Sequence, residues 1–187
     1  MDPYHKRDKK TMSNNEKQKA AEEISALYET VTRLRAEDGC PWDRAQTHVS
    51  LKAACIEEAA EVIGGINILT ETGDSRSLCE ELGDLLLQVM MHASIAEEEG
   101  IFTLSDVIRG INEKMIRRHP HVFGQDGQDG QDAAAKENIP VSWKQIKAAE
   151  KKGREWEEPY LFEAFTEAES LIGTARNRKL ENKSAPA

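Results

Sequence analysis

The sequence predicts an all-α protein, a helical bundle with a four-helix core and additional C-terminal helices, and three observations carry that reading. The 187 residues are 32% charged and 5% aromatic with only six prolines, and they are rich in Ala, Glu, Leu and Lys, which are strong helix formers. Apolar residues recur at three- and four-residue intervals in long segments. Those segments are separated by short turn-forming or capping clusters such as "ETGDS". The length suits one domain with tails.

Ile24, Leu27, Val31 and Leu34 define a first amphipathic helix over 20–38, ended by Gly39. "GCPWDRAQTH" then interrupts the pattern. A second helix over 50–69 is carried by Leu51, Cys55, Val62, Ile66 and Leu69, and a third over 77–98 opens on a Ser77/Glu80 capping pattern. The third is apolar around much of its circumference in "DLLLQVMMHASIA", which predicts burial on more than one side and dimerisation through buried helices. A fourth helix starts at the Thr103/Asp106 capping pattern, carries Leu104, Val107, Ile108, Ile111 and Met115, and stops at "RHPHVFG". The threefold Gln-Asp-Gly repeat at 124–132 reads as a flexible linker. A fifth short helix is expected in "SWKQIKAAEKK", and a sixth in 159–180 with Leu161, Phe165, Ala168 and Ile172 on one side. Residues 1–18 lack apolar periodicity and read as a disordered tail, and "ENKSAPA" as a frayed end.

The charge pattern narrows the function classes. A net charge of -9 argues against general nucleic-acid binding, which needs a basic face. Three cysteines without paired spacing suggest neither a disulfide framework nor a metal knuckle, and fit a reducing compartment. No apolar run follows the N-terminal charges, and none approaches the ~18 to 20 residues of a membrane span, so a cytoplasmic protein without membrane contact is expected.

At 100° per residue, Glu58 falls inside the apolar arc of the second helix, Glu61 on its edge and Glu57 further out. On the third helix Glu81, Asp84, Gln88 and His92 border the apolar stripe of Leu78, Leu82, Leu85, Val89 and Ala96. Each helix therefore presents an i, i+3 acid pair to the interior, Glu58 with Glu61 and Glu81 with Asp84. Acids on helices are commonly a solvated face. Here the run from Cys55 to Asp84 holds seven acids plus Asp74 against a single base, Arg76, so intrahelical ion pairs do not account for them. Four converging carboxylates repel unless cations sit between them, and hard oxygen donors suit Mg²⁺ or Mn²⁺. His92 reads as a core residue on the border of the stripe, and Cys55 and Cys79 as small buried hydrophobes.

A cationic counterpart follows. Lys114 and Arg118, four residues apart, project together as an anion clamp, with Arg117 and His119 beside them; the plainer reading is a basic helix end complementing the dipole. Trp143 and Lys147 repeat that spacing and could offer a ring to a base and an ammonium to a phosphate, although such a Trp is more often a core anchor.

"GCPWDRAQTH", "EEAAE", "EELGDLLLQVMMHA", "KMIRRHPHVFG" and "WKQIKAAEK" together resemble MazG, the all-α nucleoside triphosphate pyrophosphohydrolases, over about Leu27 to Lys152. The resemblance implies a dimerising bundle that hydrolyses NTPs or dNTPs to NMP or dNMP and pyrophosphate with Mg²⁺, in nucleotide-pool housecleaning or control of signalling nucleotides. It places the family's EExxE on Glu57, Glu58 and Glu61, its ExxD on Glu81 and Asp84, its KxxxR clamp on Lys114 and Arg118, and its WxxxK element on Trp143 and Lys147. Glu58, Glu61, Glu81 and Asp84 are then the expected metal ligands, Glu57, Glu61, Lys114 and Arg118 the catalytic residues, and Trp143, Lys147, Lys114 and Arg118 the substrate contacts. The expected catalytic domain spans 19–158, with the linker inside it and the C-terminal helix and tail over 159–187. The C-terminal part departs from the "PALxxAxKLQxKAAxxGFDW" ending of many members. Two other classes compete: a non-enzymatic acidic interaction protein, and a di-iron carboxylate bundle, which needs two ExxH pairs where this chain has none.

Overall fold

The computed structural model describes residues 13–123, 148 and 150–184, and every regular element among them is helical. The chain divides into two compact units, residues 1–46 and 47–187. No helix among the described residues is long and apolar enough to cross a membrane.

The first unit holds α1 (Asn14–Arg35) and the single turn α2 (Pro41–Arg44). α1 begins before the expected 20 and takes in residues 14–18 of the expected tail. Ser13 Oγ accepts the Glu16 N–H at 3.2 Å while Glu16 returns a carboxylate to the Ser13 N–H at 2.7 Å, a capping box that starts the helix without apolar residues. Arg35, 7% exposed, ties the two helices together by donating Nη1 to the carbonyls of Asp43 at 2.6 Å and Gln46 at 3.3 Å.

The second unit contains α3 (Lys52–Thr72), α4 (Arg76–Glu98), α5 (Leu104–Arg118), the turn α6 (Pro120–Phe123) and α7 (Glu158–Ser184). Three residues join α3 to α4, so the two pack as an antiparallel hairpin. Gly73 closes α3 in the left-handed region (φ 77°) and donates its N–H to the Leu69 carbonyl at 2.9 Å. Gly65 is the contact point of the pair: a Cβ there would lie 2.7 Å from Leu78 Cα and 2.8 Å from Leu78 N. The expected Ser77/Glu80 box does not form, because the helix starts at Arg76 with Ser75 as its uncapped N-cap. The Thr103/Asp106 box does form and opens α5.

The C-terminal half of α4 is buried all round, at Met90, Met91, Ala93, Ser94, Ile95 and Ala96, within a single chain. Its first half and α3 expose Leu82, Leu86, Val89, Ile63 and Ile66, so several residues of the expected apolar stripes face outwards. α7 packs along α3. Lys52 meets Glu167 at 2.9 Å and Glu57 meets Arg178, an order that runs the same way on both helices and makes them parallel. The expected stripe of α7 is only partly used: Leu161, Phe165 and Ile172 are exposed, Ala168 is half-buried, and Ile172 lines the groove against α3.

Candidate active site

The hairpin explains how acids of α3 and α4, about twenty positions apart in sequence, come to share a site. Glu61 sits one turn before Gly65, and Glu81 sits three residues after Leu78, so the close helix approach at Gly65 brings the two acidic faces to one level. Carboxylate oxygens of Glu58, Glu61 and Glu81 lie within 4.8 Å of one another, each half-buried. Asp84 stands outside that trio but close enough for its charge to raise the pKa of Glu58.

The electrostatics carry the strain expected of such a cluster. Partial burial pushes Glu58 above the ordinary carboxylate value, and the charges of Asp84, Glu61, Glu81 and Glu57 push it further. Glu81 is raised by desolvation and by Glu61, Glu80 and Asp84, against a lowering by Lys179. Three converging carboxylate oxygen donors form a hard, anionic donor set, and that chemistry fits Mg²⁺ or Mn²⁺. No histidine belongs to the trio, and among the described residues no other group of this kind occurs. The donor set is thus not that of a di-iron bundle.

Glu57, expected to point outwards, is covered by α7. Arg178 donates Nη2 to its Oε2, Lys179 Nζ lies 3.7 Å from its Oε1, and only 17% of its side chain is exposed. The hydrogen bond from Arg178 holds the Glu57 carboxyl below its usual range, with Lys179 adding to the effect. Lys179 Nζ also donates to Glu61 Oε1, which keeps the ammonium charged. Sequence reasoning missed both bases. In "ARNRK" they look like an ordinary basic helix end, and no local spacing connects them with acids about 120 positions earlier.

Lys114 and Arg118 stand on α5. Arg118 is already engaged: its Nε and Nη2 donate to Glu150 Oε2 at 2.9 and 2.5 Å, and Arg117 holds the other oxygen at 3.0 and 2.6 Å. These bonds, those of Arg118 first, drive the Glu150 pKa down to about 2. Trp143, Lys147 and the Gln-Asp-Gly repeat lie outside the described residues. His92 turns to His48, Nδ1 to Nδ1 at 2.8 Å with the rings stacked, and burial lowers its pKa, with the His48 charge contributing. A groove of about 270 Å³ runs beside the acids between α3 and α7, walled by Ala60, Ile172, Ala175 and Leu180.

Comparison with known proteins adds the family. A profile described as "MazG nucleotide pyrophosphohydrolase domain" matches residues 46–123, which hold α3, α4, α5 and Glu57, Glu58, Glu61, Glu81 and Asp84. This chain belongs to the MazG family. Among the relatives of this MazG chain, the nucleoside triphosphate pyrophosphohydrolase/pyrophosphatase MazG of Thermotoga maritima is 50% identical over 130 residues, covering 70% of this chain and 45% of the relative. The nucleoside triphosphate pyrophosphohydrolase of Escherichia coli K12 is 38% identical over 130 residues, 69% of this chain and 46% of the relative. An uncharacterised Bacillus subtilis protein, YabN, is 48% identical over 130 residues, 69% of this chain and 24% of its own length. The chain thus spans less than half the length of each of these relatives. No solved structure matches it.

Proposed function

We propose that this protein is a nucleoside triphosphate pyrophosphohydrolase that hydrolyses NTPs or dNTPs to the monophosphate and pyrophosphate with Mg²⁺, working in the cytoplasm as a homodimer in nucleotide-pool housecleaning. The observation that carries the reading is the convergence of Glu58, Glu61 and Glu81 within 4.8 Å inside the MazG-matched segment. The outward-facing Ile63, Ile66, Leu82, Leu86 and Val89 support a second copy against the hairpin.

Glu58, Glu61, Glu81 and Asp84 hold the ion in this reading. When bound, the ion supplies charge neutralisation for the triphosphate and a lowered pKa for water. Glu57, kept ionised by Arg178 and Lys179, orients or deprotonates the water that attacks the α-phosphorus. Lys114 and Arg118 meet the charge leaving on pyrophosphate, Arg118 by exchanging Glu150 for phosphate oxygens in the same forked geometry. Lys147 adds a further cation, and Trp143 a stacking surface for the base.

The test is to incubate the purified chain with a panel of NTPs and dNTPs, with and without Mg²⁺, and to identify the products. Metal-dependent pyrophosphate with a monophosphate supports the assignment. Phosphate with a diphosphate, or no product from any nucleotide, defeats it and favours an acidic interaction protein.

A further inference from the structure

Two bases of α7 reach over the acids that the proposed function assigns to the metal and the water. Lys179 Nζ bonds Glu61 Oε1 and stands 3.7 Å from Glu57 Oε1, while Arg178 bonds the other oxygen of Glu57. An ammonium on Glu61 uses lone pairs that a divalent cation would need, and its charge lies beside the place the cation would take. The side chain is free enough to leave: it is 49% exposed and carries its charge on a flexible four-carbon stem. Its departure need not release the helix. Lys52 holds Glu167 at the other end of the contact, and Ile172, Ala175 and Leu180 face Ala60 across the groove.

We infer that Lys179 is a resident counter-ion of the metal site, occupying Glu61 while the divalent cation is absent and competing directly with it. The inference rests on the metal reading above and deepens it: metal loading exchanges an ammonium for a cation on Glu61, and α7 sets how much metal the site requires.

The experiment measures Mn²⁺ binding to the nucleotide-free full chain, from the electron paramagnetic resonance signal of free Mn²⁺, with circular dichroism to verify helicity. Lys179→Gln binds Mn²⁺ about three- to tenfold more tightly than wild type, the scale of one partly solvated charge beside a divalent ion. Lys179→Arg, which retains the charge, and Lys52→Gln, which loosens α7 without touching the acids, stay within about twofold of wild type. Unchanged or weaker binding in Lys179→Gln overturns the competition, as does equal tightening in Lys52→Gln, which would assign the effect to helix release. A second reading needs no variant: Mg²⁺ should increase acetylation of Lys179 in wild type, read by mass spectrometry, and unchanged or reduced labelling refutes the exchange. Absence of Mn²⁺ binding in wild type and variant alike overturns the metal reading itself, whereas wild-type binding with no response to Lys179→Gln overturns only the inference about Lys179.

Discussion

Two adjacent glycines in α3 should respond to alanine with opposite sign. Gly64 faces open space, with nothing within 4 Å of where an alanine methyl would sit, whereas a Cβ on Gly65 meets the Leu78 backbone at 2.7 and 2.8 Å. In both cases the helix gains about 1 kcal/mol in intrinsic propensity. At Gly65 the opposing atoms are Cα and N, which no rotamer change can move, so α3 and α4 must separate by several tenths of an ångström. Overpacking costs about 1–3 kcal/mol, and an immovable neighbour puts the cost at the upper end. The expected net is about 2 kcal/mol destabilisation for Gly65→Ala, against a gain of about 0.5–1 kcal/mol for Gly64→Ala. Urea unfolding followed by circular dichroism measures both. Because the contact lies one turn from Glu61, Gly65→Ala should also weaken Mn²⁺ binding. Equal stability of the two variants would refute the close approach and, with it, the account of how the acids are brought to one level.

Other expectations follow from the site and the core. Glu61→Gln should abolish pyrophosphate release while helicity is retained; activity in that variant would remove Glu61 from the machinery. The raised pKa of Glu58 means that its charge opposes folding at neutral pH, and that the folded state takes up a proton before the unfolded chain does as pH falls. Metal-free Glu58→Gln should therefore be more stable than wild type at about pH 7, with the difference shrinking as pH falls through the raised pKa towards the ordinary 4.5; a difference independent of pH would contradict this. Among the described residues buried Gln88 Oε1 has no hydrogen-bond partner, so Gln88→Met should stabilise the chain by about 1 kcal/mol in thermal unfolding, and a loss of stability would mean that the amide is paired.

The sequence by itself determined what depends on near neighbours along the chain. Helical periodicity placed α3, α4, α5 and α7 within a few residues of their observed limits, the Thr103/Asp106 box marked the start of α5, and i, i+3 spacing paired Glu58 with Glu61 on α3 and Glu81 with Asp84 on α4. These signals are legible because the 3.6-residue turn fixes which side chains share a face before any tertiary contact forms. The choice of Ser13 as the cap of α1 lay in the sequence as well, in Ser13 and Glu16, but the apolar pattern began later and drew the expected boundary with it. Only the tertiary structure decided which charges meet. Glu57 turns to Arg178, Glu61 to Lys179, and Arg118 to Glu150, pairs separated by 121, 118 and 32 positions. A carboxylate and a base carry the same local pattern whether they face water or each other, and the partner is chosen by the packing of α7 on α3 and by the fit of two backbones at Gly65, where the absence of one methyl group lets the helices approach.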